Sequence, residues 1–117
     1  MHELSIAESL ITIIGEEMTR HGLKKLLLVK VVTGQISAIV PEALETAFEV
    51  LTLDTHLAGA KIEVEVKPMK VRCRQCGHEF SPSHEERILM PCPECSTELG
   101  HAIISGRELY IEHIEAE

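Results

Sequence analysis

Two short turns, Cys73-Arg74-Gln75-Cys76-Gly77 and Pro91-Cys92-Pro93-Glu94-Cys95, interrupt an otherwise aliphatic chain of 117 residues. Fifteen residues separate the two Cys-x-x-Cys pairs, a spacing within the zinc-ribbon range. Each pair presents two thiolates to one ion, and two pairs complete a tetrahedron of soft donors, which suits Zn(II) at about 2.3 Å from each sulfur. Gly77 after the first pair and Pro91 before the second fit tight knuckles. The competing readings are a rubredoxin-like iron site on the same four sulfurs and a redox dithiol, which needs only one pair in a thioredoxin-like setting. Four cysteines leave no open coordination position, so the expected role is to fold a segment with little core of its own.

Outward from this segment the pattern is regular. Upstream, Lys61 to Lys67 alternates Ile62, Val64 and Val66 with charged residues, as a strand with one wet face does, and Pro68 ends it. Downstream, Ser105-Gly106-Arg107 reads as a turn, and Glu108 to Ile114 alternates again. Nearer the start, Ile6, Leu10, Ile13, Ile14 and Met18 recur at helical spacing within residues 5–21. Ser5 with Glu8 has capping-box form and Gly22 suits a helix stop; a start at His2 or Glu3 is the alternative. Lys25 to Val32 reads as a buried strand, and Pro41 opens a second helix whose Leu44, Ala47, Phe48 and Leu51 oppose Glu42, Glu45 and Glu49. The expected fold is α+β: two helices packed on a small mixed sheet, with an inserted zinc-ribbon-like module. Residues 1–69, completed by a final strand within 105–117, form one unit and residues 70–104 the other.

Composition narrows the function. Hydrophobic residues make up 44% of the chain but aromatic ones only 3%, namely Phe48, Phe80 and Tyr110, which disfavours base-stacking platforms. Nineteen acidic residues against eleven Lys and Arg give a net charge of −8, the wrong sign for tracking phosphates. The cysteine segment itself mixes Lys70, Arg72, Arg74 and Arg87 with Glu79, Glu85, Glu86, Glu94 and Glu98. No leader-like or bilayer-spanning run is evident, and paired cysteines without an export signal suit a reducing compartment, so a cytoplasmic protein without nucleic-acid or membrane partners is expected. Asp54 is the only Asp, no Gly-rich phosphate loop or Gly-x-Ser-x-Gly elbow occurs, and the cysteines are committed; no enzymatic activity is expected.

The beginning, Met1-His2-Glu3, carries further chemistry. Initiator methionine is removed before small residues, and His2 is not small. The Met1 amine and His2 amide nitrogen close a five-membered chelate ring, and His2 Nδ1 adds a six-membered one. With the amide deprotonated, these three nitrogens favour square-planar Ni(II) or Cu(II), leaving a position for Glu3, water or a partner's group. Among the other histidines, His78 and His84 lie near enough in sequence to replace a thiolate, although a solvated loop position is the plainer reading. His21 suits a helix C-terminus, and His56, His101 and His113 read as loop or strand residues.

Taken together, Met1-His2-Glu3-Leu4-Ser5, Gly34 after an aliphatic strand, Pro41 opening an acidic helix, and the knuckles Cys73/Cys76 and Cys92/Cys95 resemble the HypA family of hydrogenase nickel-incorporation proteins over the whole chain. The resemblance implies a metallochaperone that carries Ni(II) at His2, with Met1 and Glu3 contributing, and holds structural Zn(II) at Cys73, Cys76, Cys92 and Cys95. It also implies a HypB-type GTPase partner, delivery to the [NiFe]-hydrogenase large subunit and, for some relatives, service to urease maturation. Certain members carry a His after each knuckle; here His78 follows the first, but Ser96 and Thr97 follow the second. The competing class is a zinc-ribbon interaction or assembly module that binds no nickel.

Overall fold

A computed structural model describes residues 3–82 and 89–117. The elements run α1 (Glu3–Arg20), β1 (Leu26–Gly34), a 3-10 turn (Gln35–Ser37), α2 (Pro41–Thr52), β2 (Lys61–Lys67), β3 (Lys70–Arg72), β4 (Glu79–Phe80), β5 (Ala102–Ser105) and β6 (Leu109–Ala116). They build two three-stranded sheets, ordered β2-β1-β6 and β4-β3-β5. No helix among the described residues is long and apolar enough to cross a membrane.

Helical spacing places Ile6, Ala7, Leu10, Ile14 and Met18 on the buried stripe of α1. The helix starts at Glu3, not at the Ser5–Glu8 box: Ser5 already lies inside it, its carbonyl accepting the Ser9 hydroxyl at 3.1 Å. Gly22 ends it as expected. With φ at +67°, Gly22 donates its N–H to Thr19 O, and Leu23 donates to Met18 O, the paired bonds of a Schellman stop.

Leu44 and Phe48 of α2 meet α1, and both helices cover one face of the first sheet, where Val29 and Val31 are fully buried. Ile62 and Val64 from β2 and Ile111 and Ile114 from β6 flank them. Fully burying a side chain such as Val29 or Val31 contributes roughly 1.5–3 kcal/mol. Because α2 bridges β1 and β2, those strands run parallel, whereas β6 returns antiparallel to β1. The sheet is therefore mixed, as the sequence suggests. A register shift at Lys30/Val31 sets both Glu112 and His113 beside Lys30. Lys30 Nζ lies 3.2 Å from Glu112 and 3.5 Å from Glu65. The Glu112 hydrogen bond and charge, then the Glu65 charge, hold its ammonium pKa above the ordinary value.

The second sheet has a far smaller core of Met69, Val71 and Met90, against which Ile36, Phe80 and Ile103 pack. Where the two sheets join, three backbone segments cross. Gly34 donates to Glu108 O at 2.7 Å, Ile36 to Gly106 O at 2.9 Å, and Met69 to the Gln35 side-chain oxygen at 2.8 Å. A Cβ built on Gly34 would overlap the carbonyl of Gly106 and the amide nitrogen of Arg107, and one on Gly106 would lie 2.9 Å from Met69 Cα. The Glu108 carboxylate braces the crossing by accepting the Gly106 N–H at 2.7 Å. Its own amide, then those of Gly106 and Arg107 with the Lys67 charge, hold its pKa below the usual carboxylate range against the opposing effect of burial.

Gly34→Ala is expected to lower stability by about 3 kcal/mol or more, since only backbone stands in the way. Gly15→Ala, with open space around its Cβ in mid-helix, should instead add about 0.5–1 kcal/mol. Urea unfolding of both variants checks the contrast; equal effects would contradict the crossing. Because folding depresses the Glu108 pKa, its contribution is complete above the ordinary carboxylate value, about 4.3, and disappears as pH falls through the folded-state value. The stability gap between the native chain and Glu108→Gln should accordingly close in acid, and a gap constant from about pH 7 to about pH 3 would refute the assignment.

Candidate metal centres

Each cysteine turn is built by the same backbone pattern. Cys73 donates its N–H to His78 O at 2.8 Å and Gly77 donates to Cys73 O at 3.0 Å; Cys92 donates to Thr97 O at 3.0 Å and Ser96 to Cys92 O at 2.8 Å. The fifth residue of each turn must then be left-handed, and Gly77 (φ +76°) and Ser96 (φ +65°) both are. Glycine adopts this freely, whereas serine carries a cost of order 1 kcal/mol. β3 leads into the first turn, while the second is pinned by Met90 N–H donating to Glu98 O at 3.0 Å.

The two turns bring all four sulfurs within 4.8 Å of one another. Cys73 Sγ lies 3.4 Å from Cys95 Sγ, and Cys76 Sγ lies 3.6 Å from Cys92 Sγ. A zinc tetrahedron with 2.3 Å arms has edges of about 3.8 Å, inside this range. One cysteine of each pair is buried, Cys73 and Cys92, and one is exposed, Cys76 and Cys95.

The electrostatics also ask for a cation. Burial opposes ionisation of Cys73, yet the amides of Cys76 and Gln75 and the thiols of Cys95 and Cys76 outweigh it, bringing its pKa down to about 6. Cys76 goes the other way: although the His78 amide favours its thiolate, burial and the three other sulfurs push it up to about 12. The Thr97 hydroxyl and amide hold Cys95 below the ordinary thiol value. Four thiols this close resist sharing several negative charges until a divalent ion neutralises them. The donor set, its spacing and its charge fit structural zinc.

The nickel-binding candidates are placed differently. Met1 and His2 lie outside the described residues, as does His84. Glu3 opens α1, and its Oε2 accepts the Val40 N–H at 3.1 Å, satisfying the residue that caps α2. The carboxylate thus has a structural duty that the sequence did not reveal. Among the described residues, the four cysteines are the group of three or more ligating side chains that converges. The cleft between α1 and β6, about 620 Å³, is lined by Ser5, Ser9, Leu10, Ile13, Tyr110 and neighbours and gathers no such group.

Two histidines near the knuckles have defined places. His78 is half-buried with its ring parallel to that of Phe80, centroids 6.2 Å apart. His101 does not behave as an ordinary loop residue: it is 9% exposed, and its ring meets Phe80 edge-on at 5.3 Å. Its Nδ1 accepts the Arg74 N–H at 3.3 Å, and its Nε2 lies 2.9 Å from both Met90 O and Thr97 O. No local pattern marks it out, because its partners come from both cysteine turns.

The family described as "Hydrogenase/urease nickel incorporation, metallochaperone, hypA" matches residues 1–116. Hydrogenase maturation factor HypA of Solidesulfovibrio magneticus is 54% identical over 117 residues, covering all of both chains. Its counterpart from Lawsonia intracellularis is 41% identical over 118 aligned positions, again covering both chains fully. The solution structure of the Ni metallochaperone HypA from Helicobacter pylori superposes with a TM-score of 0.66 at 25% identity, covering 99% of this chain and 97% of that one. On the full-length family match and these relatives, the chain belongs to the HypA family of hydrogenase/urease nickel-incorporation metallochaperones.

Proposed function

We propose that this protein captures Ni(II) at its N-terminus through the Met1 amine, the His2 amide nitrogen and imidazole, and Glu3, and hands it on during maturation of the [NiFe]-hydrogenase large subunit. Structural Zn(II) is held by Cys73, Cys76, Cys92 and Cys95. The full-length family match carries the nickel reading, and the converging sulfurs support the zinc reading. The same match weighs against a zinc-ribbon interaction module without nickel.

The chemistry suits a carrier. Donors at a chain end can be replaced one at a time by a recipient through mixed-ligand intermediates, whereas an enclosed site must open before it releases its ion. Copper binds such nitrogen sets more tightly than nickel, so selectivity rests on supply and on the recipient. The protein works without catalysis of its own and without a phosphate-cradling loop. A HypB-type GTPase is the proposed source of nucleotide-driven steps, with urease maturation factors as further recipients, all in the cytoplasm. Zinc organises residues 70–104 as a unit distinct from residues 1–69 and 105–117.

Calorimetric titration with Ni(II), on a chain starting at its native Met1, tests the first assignment. His2→Ala should weaken binding at least a hundredfold, about 2.7 kcal/mol; unchanged affinity and stoichiometry would refute it. For the second, chelation of zinc should abolish amide-exchange protection in β3 and β5 while α1, α2 and β1 keep theirs. Protection that survives in β3 and β5 after complete metal removal would count against the zinc role.

A further inference from the structure

We propose that His101 is the positioning residue that clamps the two cysteine turns together, and that it does so as the neutral Nε2–H tautomer. The inference builds on the proposed zinc ligation and concerns a residue outside the ligand set.

Its hydrogen-bond partners decide the tautomer. Carbonyl oxygens only accept, so the Nε2 facing Met90 O and Thr97 O, each at 2.9 Å, must carry the proton and share it between them. A backbone N–H only donates, so the Nδ1 facing the Arg74 amide at 3.3 Å must present its lone pair. The opposite tautomer would turn all three contacts repulsive.

The partners also decide the role. Arg74 lies between Cys73 and Cys76, while Met90 and Thr97 bracket Cys92 and Cys95. Thr97 O is in addition the acceptor for the Cys92 amide, so the imidazole reads the position of the carbonyl that shapes the second turn. Next to it, Gly100 lies against Arg74: a Cβ on Gly100 would come within 2.9 Å of Arg74 Cδ. The first turn is thereby held to the second loop by backbone bonds to one ring and by a side chain laid over Gly100. Phe80 packs perpendicular to the ring with centroids 5.3 Å apart, and at 9% exposure water has little access to substitute for lost bonds. An aliphatic residue of similar bulk would leave two carbonyls and one amide without this partner beside the metal.

Two measurements on the full zinc-loaded chain test this. Long-range proton–nitrogen NMR on 15N-histidine protein should show His101 with a protonated, slowly exchanging Nε2 and an unprotonated Nδ1. The Nδ1–H form, or rapid averaging of the ring, would overturn the proposal. Zinc transfer to a colorimetric chelator should run at least tenfold faster from His101→Leu than from the native chain, with His101→Gln intermediate because its amide can donate and accept. A rate within twofold for His101→Leu would also overturn it. Should His101→Leu fail to fold, the His101→Gln rate and the spectrum of the native protein still decide. Native protein isolated without one zinc per chain would refute the ligation, whereas the tautomer spectrum judges the ring separately.

Discussion

At Gly34 and Gly106 two backbones pass so closely that no side chain fits between them, and Met69 presses on the same point from a third segment. Everything that distinguishes this fold from a plain helix-covered sheet follows from that crossing. β1 ends there, the link from β2 to β3 enters the second sheet there, and the link from β5 to β6 returns there. The bonds that lock it, from Gly34, Ile36 and Met69 to Glu108, Gly106 and Gln35, leave few torsions by which the sheets could swing against each other. Ile36 contributes to both sides, since it follows β1 yet packs in the second core.

The two cores differ in what holds them. Around α1, α2 and the first sheet, burial of many aliphatic side chains suffices. Beyond the crossing, an apolar cluster of three buried residues, Met69, Val71 and Met90, is too small to offset the entropy of ordering the chain around it, which costs of order 1 kcal/mol or more for each backbone unit fixed. A metal contributes what burial does not, and the backbone of each turn prepares for it by directing amides at sulfur, as the Gln75 N–H does toward Cys73 Sγ at 3.4 Å. The −8 charge of the chain makes that preparation more demanding, because four thiolates add to an already negative molecule.

Legibility in the sequence followed the range of the forces involved. Lys61–Lys67 was readable residue by residue because alternation is local, and Pro41 marked the start of α2 because its fixed φ suits a first turn. The return of β6 to β1, the mixed sheet and the paired knuckles were readable from order and spacing. Of the two starts the sequence offers for α1, the structure takes the earlier, Glu3, and the Ser5–Glu8 pattern falls inside the helix; the bond from Val40 N–H to Glu3, across 37 residues, has no local signature. His101 reads as a loop or strand residue, but its burial and its bond to Arg74, 27 residues distant, have no local signature. Gln35 reaches Met69 across 34 residues, and β3 and β4, three and two residues long, are too short to show a period.

The start of α1 at Glu3 bears on how a cation would be held at that end. Eighteen residues of aligned peptide dipoles place about half a positive charge at the head of the helix, directly after His2 in the chain. A divalent ion chelated there sits in an unfavourable field, typically 0.3–1 kcal/mol per unit charge for exposed groups. The Glu3 carboxylate offsets part of this while it also anchors α2. On the proposed reading, that field would weaken a chelate at the first residues, which favours transfer of the ion to a site without it.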